Sequence, residues 1–123
     1  MNRAGAVLLL LCLGCDDHLI GHEAERPPCL TEPPLTWETF GQKTLQHYCK
    51  GCHSDLIEGD ERAGAPVGVN FNTWDDTVLW ADRILVRVVE DGGMPPSGGM
   101  SDDERAQMEE WLYCELLPAS GKL

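Results

Sequence analysis

Apolar residues fall at helical spacing in three stretches of the chain. Trp37, Phe40, Leu45 and Tyr48 form the first, with Thr36 placed as an N-cap. The second holds Val78, Leu79, Ile84, Leu85, Val88 and Val89; it opens on a Thr-x-x-Asp cap at Thr73 and Asp76 and ends near Asp91 and Gly92. The third runs from about Asp102 to Leu117 behind a Ser101/Glu104 capping box. It carries Met108, Trp111, Leu112 and Leu116 on one face and stops before Pro118. The pattern predicts an all-α domain over residues 36–118, with 119–123 as a short tail.

The start of the chain has a different pattern. One cation, Arg3, precedes an apolar run from Ala4 to Leu13 that only Gly5 interrupts. Ten apolar residues are too few for a membrane span, which takes about 20, and no amphipathic face exists to pack on a domain. Residues 1–14 are therefore expected to be an export signal. Gly14 and Cys15 at its end resemble a bacterial lipobox, although Cys12 stands where that pattern usually has Leu. The resemblance implies cleavage before Cys15 and its lipidation, with several acyl chains giving a durable membrane anchor. Asp16 follows, a residue that in the enteric version of the pattern retains lipoproteins in the inner membrane. Residues 15–35 then hold five acids and four prolines, and are expected to be an extended, lipidated tether. His18 and His22 within it are read as solvated.

Composition narrows the function. The 123 residues allow one domain at most. Nine Lys+Arg face 21 Asp+Glu, a formal charge of −12. Loss of residues 1–14 removes only Arg3 from the charges and leaves −13. Nucleic acid is excluded as a partner, because phosphate binding draws on clustered cations, and a basic membrane-binding patch is equally absent from the pattern.

Chemistry concentrates at Cys49-Lys50-Gly51-Cys52-His53, the C-x-x-C-H attachment signature of c-type haem. Two residues between the thiols let both reach the vinyl groups on one side of the porphyrin. The adjacent histidine then lies under the iron as its proximal ligand. A redox dithiol would want a strand before the motif, where this pattern is helical. A zinc site would want a second ligand pair, and no other C-x-x-C or H-x-x-H is present after the expected export signal and its Cys15.

At this point the chain resembles the class I, monohaem cytochrome c family, over about Trp37 to Leu117. The family's first helix carries Gly eight residues and an apolar or aromatic residue four residues before the first haem cysteine; Gly41 and Leu45 stand there. Gly92-Gly93-Met94-Pro95-Pro96 resembles the loop that presents the family's distal methionine, which implies Met94 as sixth iron ligand. Pro95 restrains that loop by fixing its own φ and holding Met94 extended. Met100, beside the capping box, and Met108, inside the last helix, are the competing thioethers and are expected in the core. The alternative is an open iron or one bound by His47, which sits on the attachment helix and points badly. The resemblance also implies that the last helix crosses the first, with Trp111 or Leu112 against Gly41.

The six cysteines then divide by use. Cys12 leaves with the signal, Cys15 takes lipid, and Cys49 with Cys52 hold one covalent haem c. Cys29 and Cys114 remain, and in an oxidising compartment they are expected to form a disulfide that fastens the tether to the last helix. The expected function is one-electron transfer on the periplasmic side of the cell envelope, anchored to the inner membrane, by an electron carrier rather than an enzyme. Lys43, Lys50 and Lys122 are the only lysines, so docking through a lysine ring is not available and redox partners with a basic patch are expected. Two other readings stand beside this one: a haem-based sensor or ligand-binding module with a displaceable Met94, and a cytochrome subunit of a membrane dehydrogenase or oxidase complex. Arg62, Arg83 and Arg87 are read as solvated cations rather than as partners of the haem propionates.

Overall fold

The computed structural model describes residues 26–123. The expected signal segment and Cys15 lie outside the described residues. Thr36 opens the first helix through a reciprocal cap, its hydroxyl accepting from the Thr39 amide at 3.2 Å while Thr39 Oγ1 accepts from the Thr36 amide at 2.8 Å. The first turn, Trp37–Gly41, is wound wide, and the Gly41 amide reaches back five residues to the Thr36 carbonyl at 3.0 Å. Helix α1, Gln42–Tyr48, continues it directly into the cysteine motif.

The wide turn lies where the last helix crosses. Trp111 is fully buried, and a Cβ placed on Gly41 would sit 2.5 Å from Trp111 Cζ2. Only glycine allows that approach. Phe40 meets the same indole edge-on, with ring centroids 5.9 Å apart, and Trp111 Nε1 donates to Glu115 at 2.6 Å, so the buried ring leaves no polar atom unpaired.

The middle stretch is a correction to the sequence pattern. A single helix from Thr73 to Asp91 was expected, but the chain forms α2, Trp74–Leu79, and α3, Ala81–Ile84, followed by a wide segment, Leu85–Glu90. The break is at Trp80, whose backbone (φ −105°, ψ 13°) leaves helical geometry while its amide bonds back to the Thr77 and Val78 carbonyls. Leu79 consequently faces solvent at 64 % exposure, against its expected place on an apolar face, whereas Ile84 and Val88 are buried.

Helix α4, Asp102–Trp111, starts on the Ser101/Glu104 box and runs through a wide turn, Leu112–Leu116, into α5, Leu117–Ala119. Helical structure thus extends past Pro118 to Ala119 rather than stopping before it, since proline is tolerated in the first turn of the new segment. Met108, Leu112 and Leu116 join Leu45 and Trp111 in the core, and Met100 is buried beside them. Among the described residues there is no strand.

The end of the expected tether lies against the domain. Cys29 and Cys114 are disulfide-bonded with Cα atoms 6.0 Å apart, and the Thr31 amide and hydroxyl each donate at 2.8 Å to the two oxygens of Glu110. Glu110 and Cys114 are four apart, one turn of the same helix face. The Thr31 amide, then its hydroxyl, hold the Glu110 carboxyl below the usual carboxylate range. A depressed pKa stabilises above the ordinary carboxylate value and ceases to as acid protonates the group, so this strap is firm at neutral pH and loosens on acidification.

Two outcomes follow from this packing. Gly41→Ala should destabilise the holoprotein by about 1–3 kcal/mol through overpacking, lowering the melting temperature by several degrees, and Trp111→Phe in the same chain should recover part of the loss. Intact protein under non-reducing conditions should weigh two hydrogens less than after reduction; equal masses would remove the Cys29–Cys114 bridge.

Candidate haem site

Helix α1 ends in a turn that keeps the motif wound. The Cys49 and Lys50 amides both donate to the Leu45 carbonyl at 2.9 Å, and the Cys52 and His53 amides donate to the Cys49 carbonyl at 3.1 and 2.9 Å. Winding them together turns Cys49, Cys52 and His53 into one cavity of about 540 Å³. Val69 O lies 3.0 Å from His53 Nδ1. A carbonyl can only accept, so Nδ1 carries the proton and Nε2 keeps its lone pair for a metal. Phe71 stacks obliquely on the imidazole with centroids 5.0 Å apart, and its amide donates to the His53 carbonyl at 3.1 Å, fixing the ring plane.

Met94 lines the same cavity from the loop that follows Leu85–Glu90. That loop is tied from three sides. Gly92 turns the chain at φ +65°, a left-handed conformation that suits glycine. Asp91 accepts from the Gly93 amide and from Arg87 Nη1, both at 2.8 Å, while the Met94 amide donates to the Arg87 carbonyl at 2.9 Å. Arg105 then reaches from α4 to donate to the Val88 and Met94 carbonyls at 2.6 and 3.1 Å. The rivals for the thioether role are elsewhere: Met100 and Met108 are buried in the core and do not line the cavity, and His47 is exposed against Tyr48.

The walls between these groups are largely apolar, including Val69, Phe71, Trp80, Ile84, Val88 and Pro95. The volume lies within the range of cofactor pockets, about 300–1,000 Å³. Two thiols, an imidazole with a free Nε2 and a thioether around a slot of flat apolar surfaces fit a haem c. Among the described residues no group of three or more His, Cys, Asp and Glu side chains is arranged for a metal ion, so a bare cation has no ligand set beside Cys49 and Cys52. Burial, then the nearby Cys52, pushes the Cys49 thiol up to about 12. At neutral pH a redox dithiol needs the opposite shift.

Residues 38–112 match the family described as cytochrome C oxidase, cbb3-type, subunit III. The chain belongs to this cytochrome c family. No curated protein and no solved structure matches it. Membership supports three readings made from the sequence: a small all-α cytochrome c-like domain, a covalently bound haem c with iron, and a role in electron transfer.

Of the three arginines read as solvated cations, one differs in this cytochrome. Arg83 and Arg87 are exposed at the cavity rim, and Arg87 is paired with Asp91. Arg62 is only 4 % exposed, which overturns its reading as a solvated cation. Its guanidinium donates to the Ser54, Ile57, Ala65, Pro66 and Val69 carbonyls and to Asn70 Oδ1. The signal for it in the sequence is faint: Arg62 is the one cation between Lys50 and Arg83, in a glycine- and proline-rich loop whose carbonyls no helix or sheet satisfies. Arg105 was missed because its acceptors are backbone atoms 11 and 17 residues away along the chain.

Proposed function

We propose that the protein is a one-electron carrier of the cell envelope in which Cys49 and Cys52 hold haem c through thioethers while His53 and Met94 ligate its iron from opposite faces. The observation that carries this reading is that all four side chains line one apolar cavity. The bound haem supplies a one-electron couple at its iron. The chain's own work is to hold that couple still. The Val69 carbonyl keeps the His53 ring oriented, the Arg87 and Arg105 contacts keep Met94 in place, and the apolar walls exclude water. Two filled axial positions leave no site for a substrate, which suits electron transfer rather than catalysis.

A second reading keeps the chemistry and changes the company. The family description names a subunit of an oxidase, so the same carrier would pass electrons within a membrane complex. Among the described residues no helix is long and apolar enough to cross a membrane. Attachment in either case would come through residues 1–15, where the sequence supports an export signal and a lipid on Cys15, on the periplasmic side of the inner membrane. Strong acidity and three lysines favour a redox partner with a basic docking patch.

Met94→Ala should abolish the weak long-wavelength sulfur-to-iron band of the ferric protein and open the ferrous iron to rapid carbon monoxide binding, while the unaltered ferrous protein keeps its thioether-bound spectrum under carbon monoxide. A band that survives the substitution assigns the ligand to another methionine, and fast displacement in the unaltered protein favours sensing. Encounter rates with a positively charged redox protein should fall steeply as ionic strength rises; rates indifferent to salt would remove the basic-patch partner.

A further inference from the structure

Arg62 is a buried cation with no anionic partner among the described residues. All six of its acceptors are neutral oxygens, and the ion pairs among the described residues, Arg87–Asp91 and Lys122–Asp82, leave it out. Removing a charge from water is costly unless dipoles or a counter-charge replace the hydration, and here five backbone carbonyls and an amide do so. The side chain also lines the cavity that Cys49, Cys52, His53 and Met94 share. In a chain of net charge −12, it is a positive charge at the one place where iron changes charge.

We propose that Arg62 is a positioning residue that raises the reduction potential of the bound haem, both by its charge and through His53. The inference rests on His53 being the proximal ligand. A buried cation favours the ferrous state, which carries one positive charge fewer than the ferric state, and low surrounding polarity strengthens the effect relative to any surface acid. The second route acts through Val69. Its carbonyl accepts from His53 Nδ1 at 3.0 Å and from Arg62 Nη2 at 3.2 Å. Sharing the acceptor weakens its pull on the imidazole proton. The imidazole then donates less electron density to iron, and the ferric state is stabilised less. Both routes have the same sign.

The test uses the full holoprotein. Asn70→Asp is close to isosteric and sets a carboxylate where Asn70 Oδ1 now accepts from Arg62 at 3.0 Å, so it cancels the charge while keeping the loop. At a fixed applied potential it should lower the ratio of reduced to oxidised protein at least tenfold, about 59 mV for one electron. The shift should persist at high ionic strength, as a buried effect must. Asn72→Asp adds the same charge on a neighbouring residue that does not touch Arg62, and should shift the ratio by much less, with the difference shrinking in salt. Arg62→Gln should show the same fall, and with ¹⁵N-labelled histidine its ferrous Nδ1 proton should move downfield as the Val69 bond strengthens. Equal shifts for Asn70→Asp and Asn72→Asp, or an unchanged ratio in Asn70→Asp, would overturn the proposal. If His53 ring protons in the unaltered ferrous protein lack the upfield displacement of a haem ligand, the ligand assignment fails instead, which separates the two outcomes.

Discussion

The crossing of Trp111 over Gly41 is the contact on which the rest of this structure depends. It allows the helix that ends in the cysteine motif to lie directly on the helix that ends the domain, with a ring filling the space a side chain would take. Leu45, Met108, Leu112 and Leu116 pack around that point, all with no exposure to solvent. Because α1 runs without interruption into Cys49, the orientation fixed at Gly41 is transmitted about two turns later to Cys49 and from there to Cys52 and His53. Tyr48, the last residue of α1, donates to Glu104 at 2.7 Å at the start of α4 and so ties the other end of the same pair.

Two arginines finish what the helices begin. The segments bearing His53's acceptor and Met94 are loops, and loops leave carbonyls without regular partners. Arg62 collects five carbonyls on one side of the cavity and Arg105 two on the other. Several donors on one planar group suit this task, since one side chain can hold several strands of backbone at fixed angles. A lysine at either place would offer a point charge rather than a fork. The same loops carry the groups that face the cofactor, so rigidity of the site follows from burying guanidinium groups among carbonyls.

Legibility in the sequence followed the range of the interactions. The helix caps at Thr36, Thr73 and Ser101 are set by residues three apart, and the local rules place them, although the reciprocal partner Thr39 was not read. The C-x-x-C-H motif could be singled out by its spacing, and Gly41 and the Met94 loop by resemblance to the family's pattern; the structure sets Cys49, Cys52, His53 and Met94 around one cavity. The break at Trp80 could not be read, since an apolar helical pattern runs through it and the deviation is a matter of a few backbone angles. Arg62 and Arg105 could not be read either, because a charged residue reveals nothing of which carbonyls the fold will bring around it. The strap of Thr31 on Glu110 is likewise a pairing across 79 residues, which no local pattern encodes.

Acidity narrows the choice of partner, and the proposed axial pair would give the protein its task. The proposed assignment of His53 and Met94 is therefore the claim on which the functional account stands. Proton NMR of the ferrous holoprotein, with selectively labelled methionine, tests it most directly. The account predicts a sharp diamagnetic spectrum with one methionine methyl displaced far upfield by the porphyrin ring current, assigned to Met94. A displaced methyl belonging to Met100 or Met108, or a paramagnetic spectrum of five-coordinate iron, would contradict it.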